Sequence, residues 1–321
     1  MATVTRLGIT LGDPTGIGPE IVASALAAMP QDSRDRVVVY GDRGPLERGA
    51  RAMGLVLPPH IDIVGDGLGE HAVFGKPDER AGAAQVGYLE AACAAARRGE
   101  LAGIVTAPIS KTWARRGGFG FLGHTEFLAA RLGASKVVML FAGPRLKVAL
   151  VTVHRPLAEV VQDLSTERVR EVIELVVAAM IQDFGIAAPR IGIVGLNPHA
   201  GEDGLLGDEE HEIIEPALEE PCPPATLLGP LVPDVAFRDA IGGKYDAMIA
   251  MYHDQGLIPV KLVDFEEAVN CTIGLPIPRT SPDHGTAYDI AGTGKARPIS
   301  MHRAFSVAME MIVRRELASP G

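Results

Sequence analysis

Cysteine is scarce in this chain. Cys93, Cys222 and Cys271 are odd in number, widely spaced and without any C-x-x-C pairing. Neither a disulfide framework nor a cysteine-built zinc site is expected, and this usage fits a reducing cytoplasm. Long apolar runs are absent too. Stretches such as 137–142 are strand-length, far short of the ~20 residues of a membrane span, and residues 1–14 carry neither a long apolar core nor a cleavage site. Positive charge is in deficit: 30 Lys+Arg against 40 Asp+Glu leave a net −10. That balance argues against a general nucleic-acid or anionic-membrane binder, while a local basic pocket for a small anion stays open.

What the chain does have is enough apolar material to fold. Its 321 residues are 47% hydrophobic, which excludes disorder and suggests about two domains at roughly 150 residues each. Gly 37 and Pro 24 against only 5% aromatics suggest many tight connections between small-residue elements. Apolar runs at 7–11, 37–40, 61–64, 104–106, 137–141, 148–153, 191–196 and 248–251 predict buried strands. Segments 21–29, 79–98, 125–132, 167–184 and 208–218 predict helices. The clearest puts Val169, Val172, Ile173, Val176, Val177, Met180, Ile181 and Phe184 on one stripe, with Ser165 as N-cap and Gly185 as stop. Strands alternating with helices predict an α/β fold with a mostly parallel sheet.

Ligands of such sheets bind beyond the carboxyl ends of strands. Three of the nine histidines follow three different strand runs: His154, His199 and His253. Neutral imidazoles suit zinc and related divalent ions, and three of them leave a coordination position for substrate. One such histidine alone would be an ordinary loop residue; three at one topological position make a candidate metal site. Lys261, Asn270 and Arg279 recur at nine-residue spacing, a pattern suited to a carboxylate or phosphate, although Glu266 and Glu267 lie nearby. Lys111, just past a strand, and Asp254, beside His253, are the candidates for moving a proton; Lys261 shares that role or simply binds the anion. The string Gly118-Phe-Gly120-Phe-Leu-Gly123 matches the dinucleotide fingerprint but follows no strand, and Gly292-Thr-Gly294-Lys295 lacks the first P-loop glycine. The turn 12–20, with Pro19 and Glu20 in the first helical turn, is explained as a strand-to-helix connection without a ligand.

Several ordered strings together resemble the 4-hydroxythreonine-4-phosphate dehydrogenase family of vitamin B6 synthesis. They are GDPTGIGPE (12–20), TAPISK (106–111), GHTEF (123–127), VTVHRPL (151–157), GLNPHAGE (195–202), AMYHDQGLIPVK (250–261) and the stretch 270–296. The resemblance implies two α/β/α domains with an interdomain cleft, like isocitrate and isopropylmalate dehydrogenases. The first domain is expected over 1–121 plus 272–321 and the second over 122–271. The resemblance further implies NAD or NADP as cofactor. It also implies one divalent metal per subunit, zinc first with magnesium, manganese or cobalt as alternatives, on His154, His199 and His253. That site would lie at a homodimer interface and draw ligands from both subunits. His124 and Thr125 would contact a phosphorylated small-molecule substrate, with Lys261, Asn270 and Arg279. The loop around His284, Gly285, Asp289 and Gly292 would take the adenosine side of the cofactor.

The implied activity is oxidation of a phosphorylated hydroxy acid, with the metal stabilising the developing alkoxide, hydride passing to nicotinamide, and decarboxylation following. The first motif reads GDPTGIGPE where biosynthetic members often have GEPAGIGPD, and Arg155 follows His154 where an apolar residue is usual. Two enzymatic alternatives therefore remain: relatives acting on D-threonate or D-erythronate 4-phosphate, and relatives acting on an aromatic cis-dihydrodiol. A zinc-bridged structural dimer is the non-enzymatic alternative. Neither nucleic acid nor membrane is an expected partner.

Overall fold

The computed structural model describes residues 6–318. Residues 1–5 and 319–321, part of the expected first domain, lie outside them. The chain divides into two compact units. One runs through Ser135 and resumes over Leu275–Ile312; the other comprises Lys136–Gly274 and the residues from Val313 onward.

In the first unit, five strands pair in the order β3-β2-β1-β4-β11, every pairing parallel. These are β1 (Arg6–Thr10), β2 (Val37–Tyr40), β3 (Asp62–Val64), β4 (Leu101–Thr106) and β11 (Arg279–Pro282). Leu7, Ile9, Val39, Ile104 and Val105 are fully or almost fully buried. A strand buried on both faces has no use for alternation, which is why these runs read as continuously apolar. The intervening helices include Gly18–Ala28, Arg43–Ala52 and Glu79–Arg97. Helix His124–Leu132 also packs in this unit, where Arg131 forks onto Glu90 of helix Glu79–Arg97. The first unit therefore extends to Ser135, whereas the expected first domain ended at residue 121.

The second unit carries β5 (Val138–Ala142), β6 (Lys147–Leu150), β7 (Arg190–Val194), β8 (Thr226–Leu231), β9 (Ala247–Ala250) and β10 (Val269–Ile273). Their order is β10-β5-β6-β9-β7-β8, antiparallel over the first two pairings and parallel thereafter. All eight predicted strands form, and the architecture is α/β. Three strands escaped the sequence reading. β8 contains Gly229 and Pro230 and is tolerated because it lies at the end of the order. β11 has no apolar pattern, since Arg279, Thr280 and Ser281 are buried polar residues. Asn270 interrupts β10. Helix His253–Asp264 was missed for a similar reason, as Gly256 and Pro259 are helix breakers by propensity. Packing overrides them: Leu257 and Val260 join the core cluster with Leu150, Met248 and Ala250.

Helix Thr166–Gln182 starts at the predicted cap, where Ser165 Oγ accepts from Arg168 N at 3.1 Å. It buries Val169, Val172, Ile173, Val176, Val177 and Met180, while Ile181 and Phe184 are only half-buried. Replacing Ser165 with Ala orphans a backbone N–H in the first turn. It should lower unfolding stability by about 1 kcal/mol, read as a shift in denaturant midpoint at unchanged slope.

Candidate functional site

In the second unit, β6, β9 and β7 are parallel neighbours, so their carboxyl ends emerge together. His154, His253 and His199 follow those three ends. The ladder continues past the strands: Val151 N donates to Ala250 O, and Thr152 donates through both N and Oγ1 to Met251 O. Gln255 then ties the next pair, its Oε1 accepting from Met251 N and its Nε2 donating to Gly195 O, both at 2.7 Å. Backbone groups that would be orphaned at the strand ends thus hold the histidine loops in register.

His154 and His253 stand with ring centroids 5.7 Å apart, beside a pocket of about 210 Å³ lined also by Thr152, Arg155, Tyr252 and Asp254. Asp254 sits 2.8 Å from His253 Nδ1, a carboxylate–imidazole pairing of the kind that orients a ring and would leave Nε2 for a ligand. The guanidinium of Arg155 is paired with Asp163 and, at 3.8 Å, with Glu159. His199 does not line that pocket. Among the described residues no group of three or more His, Cys, Asp or Glu side chains is placed to hold a metal within one chain. The donors present fit a zinc-type ion in kind.

Both His154 (φ 46°) and His199 (φ 54°) occupy the left-handed region, as do Ala200, Glu202 and Asp203. A non-glycine residue there costs roughly 1–2 kcal/mol, so the loops bearing these imidazoles are strained and must be held by their surroundings.

The first unit holds a second constellation. Arg279 is buried, and its guanidinium donates to Thr106 Oγ1 at 2.7 Å. His124 opens helix His124–Leu132, whose N-cap, Gly123, makes no side-chain cap bond. Its Nε2 is buried and has no hydrogen-bond partner. Burial holds the imidazole pKa well below its ordinary value, and the Arg279 and Lys111 cations push it the same way. Lys111 is exposed and heads helix Lys111–Arg116, where Ser110 is the cap. Two cations, a neutral imidazole and a helix N-terminus make this a place for an anion. Lys261 and Asn270 belong to the second unit. There Lys261 lies over the Phe265 ring, and the buried Oδ1 of Asn270 accepts no hydrogen bond.

The family model described as pyridoxal phosphate biosynthetic protein PdxA matches residues 33–308. The chain belongs to this family. It is 43% identical to 4-hydroxythreonine-4-phosphate dehydrogenase of Desulfosudis oleivorans, over 95% of each chain. Among solved structures, 4-hydroxythreonine-4-phosphate dehydrogenase from Klebsiella pneumoniae superposes with TM-score 0.86 at 36% identity, covering 96% of this chain and 98% of that one. A terephthalate 1,2-cis-dihydrodiol dehydrogenase from Burkholderia xenovorans is 34% identical with TM-score 0.65, covering 92% of this chain and 95% of that one.

In this PdxA-family chain the turn 12–20 does more than join a strand to a helix. Glu20, fully buried, accepts from Gly292 N and Gly294 N, both at 2.9 Å. Asp13 accepts from Thr15 and, at 2.6 Å, from the Tyr288 hydroxyl, whose pKa is pushed up to about 12 by burial and that bond. A Cβ on Gly16 would come within 2.8 Å of Thr286 O, so only glycine lets the loop approach. The two motifs that frame the chain therefore form one structure. His284, Gly285 and Asp289 are exposed on this anchored loop and Gly292 is half-buried. Sequence spacing had no signal for the pairing, because the partners lie some 270 residues apart.

The depressed pKa of His124 has a sign. Below its ordinary value of 6.5 the unfolded chain takes up a proton that the folded chain refuses, so this stability is present above pH 6.5 and lost as pH falls. The midpoint of unfolding should fall less steeply between pH 6.5 and pH 5 in His124→Gln than in the wild type, measured by denaturant titration across that range.

Proposed function

We propose that the chain is a metal-dependent NAD(P) dehydrogenase that oxidises and decarboxylates 4-hydroxythreonine 4-phosphate in pyridoxal phosphate synthesis. The observation that carries this is the cationic constellation of Arg279, Lys111 and neutral His124 at a helix N-terminus, in a chain whose net charge is −10. A phosphate offers three strong acceptor oxygens, and Arg279 is pre-aimed by Thr106. Thr125, in the first turn beside His124, adds a hydroxyl and a backbone N–H. The cis-dihydrodiol of terephthalate keeps its carboxylates and would engage some of these cations, but each carboxylate offers two acceptor oxygens against a phosphate's three.

His154 and His253 are assigned to the divalent ion, with His199 in a ligand set completed across two copies of the chain. When bound, the ion acts as a Lewis acid on the substrate oxygen, and the nicotinamide accepts hydride. Asp254 orients His253 rather than moving a substrate proton, given its contact with Nδ1. Lys111 is the better candidate for a proton-handling group: it is exposed beside His124 and makes no ion pair among the described residues. Lys261 and Asn270 are further substrate contacts. Glu20 and Asp13 hold the loop 284–294 in shape, and the exposed face of that loop takes the adenosine side of the cofactor.

The test compares nicotinamide reduction with 4-hydroxythreonine 4-phosphate, D-threonate 4-phosphate, D-erythronate 4-phosphate and the terephthalate dihydrodiol. Turnover of the first should exceed the others, and chelator should abolish it; a preference for the dihydrodiol, or activity indifferent to chelator, refutes the assignment. Arg279→Ala should cost about 2–5 kcal/mol in kcat/KM for the phosphorylated substrate and far less for its dephosphorylated analogue. Equal losses for both would make Arg279 structural.

A further inference from the structure

Six consecutive residues, His199 to Gly204, have φ between 45° and 87°, and four of them are not glycine. Residues visit the left-handed region singly as a rule, so a run of this length needs an external hold. Within the turn the bonds are short-range: Ala200 N donates to Asn197 O, Gly204 N to Gly201 O and Leu206 N to Gly201 O. Glu210 anchors the chain where it enters this turn and packs against its middle. Only 1% exposed, its Oε1 accepts from Leu196 N at 2.7 Å and Asn197 N at 2.8 Å. Its Oε2 accepts from Asn197 Nδ2 at 2.9 Å. The same oxygen lies against the middle of the turn, since a Cβ on Gly201 would come within 2.7 Å of it. Glu210 also heads a single π-helical turn, Glu210–Ile214, ahead of helix Glu215–Glu219. Such an inserted turn re-aims one side chain at a local cost and tends to mark functional sites.

We infer that Glu210 is a positioning residue. Its carboxylate locks the left-handed turn and thereby sets the direction in which the His199 imidazole leaves the backbone. This rests on the assignment of His199 to the divalent ion. Glutamine at position 210 keeps the shape and one acceptor, which the N–H groups of Leu196 and Asn197 can share. Its NH2 group, however, would face the Asn197 NH2. That amide is also engaged by Glu209 Oε2 at 2.6 Å, so turning it over breaks a second bond.

The experiment uses the full chain with Glu210→Gln, and with Asn197→Ala as a milder variant that keeps both backbone bonds to Glu210 while removing the side-chain donor to Glu210 Oε2 and Glu209 Oε2. Hydrogen exchange on metal-stripped protein should quicken at least tenfold over residues 196–206 in Glu210→Gln, with little change elsewhere. Zinc affinity, from competition with a chromophoric chelator, should weaken about 10–100-fold, the usual effect of losing a group that orients a metal ligand. Asn197→Ala should move both readouts in the same direction by less, and it carries the test if Glu210→Gln does not fold. Zinc affinity within twofold of wild type, with exchange unchanged or with exchange alone quickened, overturns the inference. If His199→Ala itself keeps wild-type zinc affinity, the ligand assignment has failed, and the exchange data still decide whether Glu210 holds the turn.

Discussion

Buried carboxylates that accept hydrogen bonds from loop backbone hold this molecule's working parts in place. Asp13, Glu20, Asp42, Glu210 and Asp264 are each no more than 5% exposed. Asp42 takes Gly67 N, Gly69 N and the Tyr88 hydroxyl; Asp264 takes Arg145 N and Leu146 N. Glu20 and Glu210 do the same for loops that carry candidate cofactor and metal residues. A buried carboxylate is costly unless its lone pairs are filled, and a loop N–H removed from water is costly unless it finds an acceptor. Each group settles the other's demand. Part of the chain's negative charge is therefore internal, and it is used to shape loops.

Parallel strands supply the complementary half of the design. They bring carboxyl ends to one side, so β6, β9 and β7 present three histidine loops together without any short metal motif. Rigidity is then extended past the strand ends by Thr152 and Gln255, which continue the hydrogen-bond ladder where backbone pairing stops. Chemistry placed on such loops keeps the precision of the scaffold while its side chains remain accessible. The positive φ at both His154 and His199 fits this picture, because strain survives only where surrounding bonds over-determine the backbone.

The first unit's constellation works by a different balance. His124 is kept neutral by burial and by two neighbouring cations, so that it can serve as a hydrogen-bond group rather than a third charge. A buried guanidinium, an exposed ammonium and a neutral imidazole would bind an anion by geometry as well as by charge. The net charge of the whole protein has little bearing on such a site, since exposed charges beyond a Debye length are largely screened.

The chain's own sequence determined the elements whose signal is local. Continuous Val- and Ile-rich runs became strands because both their faces are buried, and the stripe of helix Thr166–Gln182 with its Ser165 cap is a pattern of near neighbours. It also marked the three histidines, because position after a strand is readable from order alone. Tertiary structure alone decided whatever depends on residues far apart in the chain. β11 is a strand although its residues are polar, because Arg279 and Thr280 find partners in Thr106 and Ala304. Helix His253–Asp264 survives Gly256 and Pro259 because the core accepts Leu257 and Val260. Glu20 looked like a helix-dipole residue, and only folding brought Gly292 and Gly294 to its oxygens. Local propensity acts over a few residues, whereas a buried acceptor takes whichever donor the fold delivers, and nothing in the spacing names that donor.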